Sequence, residues 1–302
     1  MQTLELKNVR KAYDTFVAVD DLSFNIAPGT MFGLLGPNGA GKTSTIRMMI
    51  GITMPDSGEV RMFGEGFRRE LLSRVGYLPE ERGLYAKMKV IDQLVWFGEL
   101  HGLSAAEAKN RSYIWGERLE IADAFLKKTN ELSKGMQQKI QFIATLIHEP
   151  EFIIMDEPFA GLDPVNARLL EDELIRLRKE GRTILFSTHR MDQVEKLCDS
   201  ICLVNRGRAV LKGDLREIKS RYGRGTVQIA LDGAPDSGFI SSTGLVSSVK
   251  GYEGYIEVKL AQGADSQQLL RAVTNHSRVN KFELMEPSLE EIFIEVVGKS
   301  DA

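Results

Sequence analysis

Hydrophobic and polar positions follow two different periods along this chain, and the switches between them outline its elements. "TLELKNV" and "LSFNI" place apolar residues at every second position, which predicts half-buried strands. "GTMFGLLG" is apolar at both parities and predicts a strand covered on both faces, running into a glycine-rich loop. "GKTSTIRMMIGI" then changes to the helical period, with Ile46, Met49 and Ile50 on one face. Residues 51–64, "GITMPDSGEVRMFG", are rich in turn formers around one short strand.

From about residue 88 to 148 the period is mostly helical, in "KVIDQLVWFGELHGL", "SAAEAKNRSYIWGERLEI" and "GMQQKIQFIATLIH". "EFIIMDEP" is a short apolar run ending in acids, which predicts a central parallel strand. "VNARLLEDELIRLRKEG" predicts an amphipathic helix stopped at Gly181, "RTILFSTH" a strand, "MDQVEKLCD" a helix, and "SICLVNRGRAVLKG" a hairpin around Arg206 and Gly207. Alternation of this kind predicts an α/β fold with a mainly parallel sheet. Composition shifts at "KSRYGRGT", residues 219–226, read here as a linker. Beyond it the order βββαβα predicts a small α+β domain of ferredoxin-like kind. It closes on the helix "SLEEIFIEVV", opened by a capping box of Ser288 and Glu291.

A length of 302 residues suggests two domains. With 43% hydrophobic and 27% charged residues, a sizeable core is affordable. The net charge of −3 gives no general attraction to nucleic acid or anionic lipid. Two cysteines, Cys198 and Cys202, make no disulfide framework; their spacing suits either a metal pair or two small buried hydrophobes. The charged, alternating start "MQTLELKNVRKAY" is unlike a signal peptide. No stretch approaches the roughly 20 apolar residues of a membrane span.

The chemistry concentrates at three places. "GPNGAGKT", Gly36 to Thr43, fits G-x-x-x-x-G-K-[ST] and sits between a buried strand and a helix, where main-chain N–H groups converge on phosphate. The expected nucleotide cradle is Gly36, Pro37, Asn38, Gly39, Ala40, Gly41, Lys42, Thr43 and Ser44. Gly39 and Gly41 let the backbone wrap the β-phosphate, Lys42 neutralises the β and γ oxygens, and Thr43 offers a hydroxyl to Mg²⁺. "FIIMDE" supplies Asp156 and Glu157. On their own two acids at a strand end serve equally well as helix caps. Beside the phosphate loop, Asp156 is expected to hold Mg²⁺ through water and Glu157 to polarise the attacking water. The third place is "ELSKGMQQK", Glu131 to Lys139, a turn with Ser and Gly leading into a helix. It is a second anion-gripping helix N-terminus in one chain.

In this order the motifs resemble an ATP-binding-cassette (ABC) ATPase, the nucleotide-binding subunit of a transporter. The resemblance spans about residues 1–220. It implies a P-loop NTPase domain with a mainly parallel core, an antiparallel β subdomain and a helical subdomain at about 88–148. Residues 224–302 are similar to the accessory domain of some bacterial exporter ATPases, most recognisably in "PSLEEIFIEVVG". The resemblance implies that Tyr13 stacks on adenine. It identifies "ELSKGMQQK" with the family signature, usually LSGGQ, so that Ser133 and Gly135 face the γ-phosphate of ATP held by a second chain. "AGLD", Ala160 to Asp163, becomes the D-loop, with Asp163 at the nucleotide. His189 becomes the switch histidine, acting with Glu157 and Lys42 in catalysis. ATP and Mg²⁺ follow as cofactors. So do ATP-driven homodimerisation, a separate transmembrane permease, a lean towards export, no nucleic-acid partner, and a cytoplasmic position on the inner face of the cell membrane.

The chain departs from the family pattern in three positions. In "VGYLPEERGLY", Glu80 stands where Gln is usual. It either joins Thr43 and Asp156 at Mg²⁺ or is held away until a membrane partner docks, with Arg82 placed to offset its charge. In the signature, Lys134 replaces a Gly and Met136 a Gln. The partner's dock is expected near Tyr85 and Met88, with Val90, Ile91, Leu94, Val95 and Phe97 mostly forming the subdomain core. The rival reading is a soluble ABC-type ATPase acting on a nucleic-acid or protein assembly, but neither long coiled coils nor a second cassette is visible. A generic P-loop kinase or GTPase has no place for "LSKGMQQ" and "STH". The transported substrate is chosen in this family by the membrane subunit, so it is not written in this chain.

Overall fold

The alternating segments at the start of the chain pair with each other. In the computed structural model, which describes residues 2–81, 83–223, 225–232 and 237–300, β1 (Leu4–Tyr13) and β2 (Phe16–Ile26) form an antiparallel hairpin. The all-apolar β3 (Met31–Leu35) is buried at every residue and leads through the glycine-rich loop into α1 (Lys42–Met49). β4 (Ser57–Met62) and β5 (Glu65–Gly66) return to the hairpin, giving an antiparallel sheet ordered β2-β1-β4-β5. After β6 (Val75–Leu78) come α2 (Val90–Leu100), α3 (Ala105–Arg118) and α4 (Lys134–Leu146). Val90, Ile91 and Leu94 are buried there, while Val95 and Phe97 are half-buried.

The remaining elements of this part are β7 (Phe152–Asp156), α5 (Pro164–Lys179), β8 (Thr183–Thr188), α6 (Met191–Leu197), β9 (Ser200–Asn205) and β10 (Arg208–Asp214). Among the described residues the second sheet has six strands in the order β10-β9-β3-β8-β7-β6. All neighbours are parallel except β10, the antiparallel edge. β3, β7 and β8 are buried along their whole length, as a parallel sheet covered on both faces requires, and residues of β1, β2 and β4 share their core. The β9–β10 turn is Arg206 and Gly207, both with left-handed φ (49° and 78°), as a two-residue hairpin needs. The strand register sets Leu35 beside Thr188 and Asp156 beside Ser187. The carboxyl ends of β3, β7 and β8 therefore open on one edge, where α/β sheets bind ligands. Cys202 lies within the core with Leu34 and Val204, and burial pushes its thiol up to about 12. Cys198 is likewise raised by burial. Both are free thiols, and among the described residues no three His, Cys, Asp or Glu converge to hold a metal. The pair behaves as small apolar residues.

The chain divides into two compact units, Met1–Leu215 and Arg216–Ala302. The stretch 219–226, expected as a linker, is not one along its length, because α7 (Leu215–Tyr222) runs through half of it. Leu215 and Ile218 are buried one turn apart, and Arg221 reaches Glu217 at 3.4 Å. The second unit continues with β11 (Thr226–Leu231), α8 (Ser237–Ser242), β12 (Val246–Tyr252), β13 (Tyr255–Leu260), α9 (Ser266–His276), β14 (Val279–Leu284) and α10 (Leu289–Ser300). Its antiparallel sheet is ordered β12-β13-β11-β14. The helix α8 is absent from the sequence reading. With it, the connectivity is β-α-β-β-α-β, the ferredoxin-like arrangement. Val227, Ile229, Ile256 and Val258 pack on Ile240, Leu269 and Val273. Each such buried side chain contributes about 1.5–3 kcal/mol. The expected capping box is present: Ser288 N donates to Glu291 Oε2 at 2.8 Å, and Glu291 N to Ser288 Oγ at 3.2 Å.

Candidate functional site

The loop after β3 shows why its glycines are glycines. Gly41 caps α1 with φ 105°, and a Cβ on it would lie 2.3 Å from Ala18 O. Gly39 has φ 77° and nothing within 4 Å of its would-be Cβ, so its backbone is open to a ligand. Ala40 is buried, and its carbonyl accepts from Gly207 N at 2.9 Å, which anchors the loop to the β9–β10 turn. Lys42, buried at the start of α1, curls back: its Nζ donates to Gly36 O at 2.8 Å and Pro37 O at 3.2 Å. Burial lowers the Lys42 pKa, against the opposing pull of Glu157, Asp156 and Glu80.

The carboxylates arrive from β7. Asp156 is 1% exposed. Its Oδ2 accepts from Thr43 Oγ1 at 2.8 Å, and its Oδ1 accepts from Ser187 Oγ. Glu157 turns out of the strand with a left-handed backbone, φ 49°, while its N–H donates to Ser187 O at 3.1 Å. Both its side-chain oxygens are held. Oε2 accepts from Thr188 Oγ1 at 3.1 Å; Oε1 accepts from His189 N at 3.0 Å and faces His189 Nδ1 at 2.8 Å. A carboxylate only accepts, so Nδ1 carries a hydrogen in this contact.

These groups share a cleft of about 350 Å³ lined by Asn38, Gly39, Gly41, Lys42, Thr43, Ser44, Glu80, Asp156 and Glu157, with Phe16 and Ala18. Glu80 is exposed and lies on the cleft wall. Arg82, expected to offset it, lies outside the described residues. Tyr13 is not among the lining residues. It is 40% exposed and pairs across the hairpin with Phe16, which is 61% exposed and does line the cleft.

Ser133, Gly135 and Asp163 gather elsewhere. Ser133 caps α4, its Oγ accepting from Met136 N at 3.2 Å. A Cβ on Gly135 would stand 3.6 Å from Leu162 and 3.9 Å from Asn166 Nδ2. Asp163 caps α5, its Oδ1 accepting from Val165 N and Asn166 N at 3.0 Å each, with Pro164 at the first helical position. Those hydrogen bonds hold its carboxyl below the usual range. Ser133, Lys134 and Asp163 do not line the cleft of their own chain. The sequence reading missed Ser187, Thr188 and Phe16. The first two stand within "FSTH", where their bonds to Asp156 and Glu157 depend on strand register that no local pattern displays.

A second, apolar cavity of about 400 Å³ is lined by residues including Ile50, Tyr77, Leu84, Phe97, Gln141 and His148. Nearby residues Ile52, Tyr85 and Trp96 are exposed at 61%, 52% and 36%. The rings of Tyr85 and Trp96 meet edge to face, 5.3 Å between centroids. Among the described residues no helix is long and apolar enough to cross a membrane.

The family model described as ABC transporter matches residues 19–160, and that of the ATP-binding protein DrrA1-3-like C-terminal domain matches residues 213–297. The chain is similar to the uncharacterized ABC transporter ATP-binding protein YhaQ of Bacillus subtilis (strain 168), 44% identical over 295 residues, 98% of either chain. It is 34% identical over 308 residues to the Nod factor export ATP-binding protein I of Ralstonia nicotianae, covering 98% of this chain and 94% of that one. A solved structure described as the ATP binding subunit of an ABC transporter superposes with a TM-score of 0.67 at 31% identity, over 73% of this chain and 93% of that one.

Proposed function

The chain belongs to the ABC transporter ATP-binding proteins, an ATP-hydrolysing family, and on that premise we propose that it drives an exporter through ATP-dependent dimerisation. The observation that carries the proposal is the hydrogen-bonded set Thr43–Asp156 and Glu157–His189 around Lys42. Lys42 and the main chain of residues 36–44 bind the triphosphate. Glu157, fixed through both oxygens, accepts the proton of the attacking water while His189 holds the carboxylate and faces the γ-phosphate with Nε2. Tyr13, with Phe16 beside it, stacks on the adenine.

The donor set fits Mg²⁺. Thr43 Oγ1 and Asp156 Oδ2 are hard oxygens 2.8 Å apart beside Lys42, and Glu80 adds a carboxylate on the same wall. Mg²⁺ favours such sites, with one or two carboxylates and the substrate's phosphates. When bound it neutralises charge on the β and γ oxygens.

Ser133 and Gly135, outside their own chain's cleft, act on the ATP of a second copy. The dipole of α4 and the N–H groups of Lys134 and Gly135 at its start favour the γ-phosphate there. This supports a homodimer with two composite sites. The apolar cavity at Leu84, one residue from the expected dock at Tyr85, receives the transmembrane permease, and the protein works from the inner face of the cell membrane. Export is supported by the Nod factor export relative and by the DrrA1-3-like match to the second unit. We assign residues 1–220 to the ATPase domain and 224–302 to an accessory domain that braces the dimer. No nucleic-acid partner is proposed.

A single experiment tests both halves. Glu157→Gln should bind ATP, lose hydrolysis and accumulate as a closed dimer in gel filtration. Ser133→Arg in that background should bind ATP and stay monomeric. Wild-type hydrolysis by Glu157→Gln sinks the catalytic assignment; an ATP-dependent dimer of the double variant sinks the composite site.

A further inference from the structure

One face of α4 carries Gln138, Gln141 and Thr145, spaced three and four residues apart. Gln138 and Gln141 donate to main-chain carbonyls next to the cleft residues Glu157 and Glu80, and Thr145 to a carbonyl within β6. Gln138 Nε2 reaches Pro158 O at 2.9 Å, Gln141 Nε2 reaches Glu81 O at 3.3 Å, and Thr145 Oγ1 reaches Tyr77 O at 3.4 Å. Gln138 is 5% exposed, so its bond is made away from water, where it is strong and costly to leave unmade. Its acceptor belongs to the residue that follows Glu157. Proline has no N–H, so the carbonyl is that residue's only main-chain hold. The loop needs one, because Glu157 sits in the left-handed region, which persists only where its surroundings enforce it. Its other supports are Ser187 O and Thr188 Oγ1 on β8, His189 just beyond that strand, and the turn bond from Ala160 N to Glu157 O at 3.1 Å. Gln138 adds a support from another element, α4, the helix whose first residues are Lys134 and Gly135.

We propose that Gln138 is a positioning residue for ATP hydrolysis: its amide ties α4 to the Pro158 carbonyl and so keeps the Glu157 carboxylate aimed into the cleft. The signature turn that grips one ATP is thereby joined, through one helix and one hydrogen bond, to the base that acts on another. The proposal rests on the reading of Glu157 as the group that takes the water proton.

Gln138→Met keeps the length and volume of the side chain and removes the donor. In the full-length chain the expected result is a kcat about tenfold lower, with KM for ATP and the unfolding midpoint nearly unchanged. Gln138→Glu keeps the length but donates only as the neutral acid. Its kcat, taken as a ratio to wild type at the same pH, should rise as pH falls from about 8 to about 6, while the Gln138→Met ratio stays flat. A Gln138→Met chain with wild-type kcat overturns the proposal, as does a loss that follows KM or the unfolding midpoint. If Gln138→Met does not fold, the Gln138→Glu ratio decides alone, and a flat ratio overturns the proposal. The two readings fail separately: full hydrolysis by Glu157→Gln removes the base, whereas these outcomes remove Gln138 while Glu157→Gln stays inactive.

Discussion

The main-chain N–H and the ring Nδ1 of His189 stand on the same oxygen of Glu157, at 3.0 and 2.8 Å. The side chain of His189 is 53% exposed while that of Glu157 is 12% exposed, so the histidine covers the acid from the solvent side. His189→Ala removes one of the two contacts and the ring nitrogen Nε2, and it leaves Lys42 and the phosphate loop untouched. The expected result is unchanged ATP binding with hydrolysis slower by about 10²–10⁴, the range for a proton-handling side chain. Equilibrium binding of an ATP analogue and steady-state phosphate release check the two halves.

Glu80 adds a third carboxylate to a cleft that already holds Asp156 and Glu157. All three pull the pKa of Lys42 upward against its burial. Glu80→Gln removes one charge and keeps a metal-capable oxygen. The Mg²⁺ concentration for half-maximal ATPase should rise, because a carboxylate binds the ion more strongly than an amide does. An unchanged Mg²⁺ titration would remove Glu80 from the metal site.

His148 is predicted to make the chain acid-sensitive. Burial, with His101 and Arg111 alongside, lowers its pKa from 6.5 to about 4; its one supporting bond is from Nε2 to Val75 O at 3.1 Å. His101 stacks on it at 3.7 Å between centroids and is also lowered by burial. Between these pH values the unfolded chain protonates while the folded one stays neutral. Stability is therefore full above about pH 6.5 and falls as pH drops towards 4, by at most about 3 kcal/mol from His148. Melting temperatures from pH 7 down to pH 5 should fall more steeply for wild type than for His148→Phe. Parallel curves would exclude the effect.

Removal of residues 224–302 tests the accessory unit. Its sheet and helices carry a core of their own, so the first unit should still fold and bind ATP. Dimerisation and the ATPase rate that depends on it should weaken several-fold. Equal rates at every protein concentration would deny the unit a part in the dimer.

Much of this site was legible because its chemistry is local. Gly36 to Thr43 and Phe152 to Glu157 are short segments whose spacing alone fixes what their backbone must do. Contacts that cross the chain were not legible. Thr43 meets Asp156 across 113 residues, and Gln138 meets Pro158 across 20. Nothing in "GMQQK" says which glutamine turns inward. Tyr13 and Phe16 are both exposed aromatics on either side of a two-residue hairpin turn, and only their placement on the cleft separates them. In the second unit α8 escaped notice because six residues, "SGFISS", are too few to display a helical period. The linker reading took in the end of α7 for the converse reason: a charged surface helix, Leu215–Tyr222, has the composition of a tether.

The left-handed backbone at Glu157 sets durability against output. A residue with a Cβ held in that region costs the fold on the order of 1 kcal/mol, and glycine would relieve it. Glycine forfeits the bonds from Thr188 and His189, whereas asparagine tolerates the region and still accepts, so Glu157→Asn should melt no earlier than wild type while turning over no ATP. A library of this chain screened for heat resistance alone would drift to asparagine at that position and enrich for stable, idle proteins. Selection for turnover has to be applied alongside, or the engine is lost before the scaffold improves.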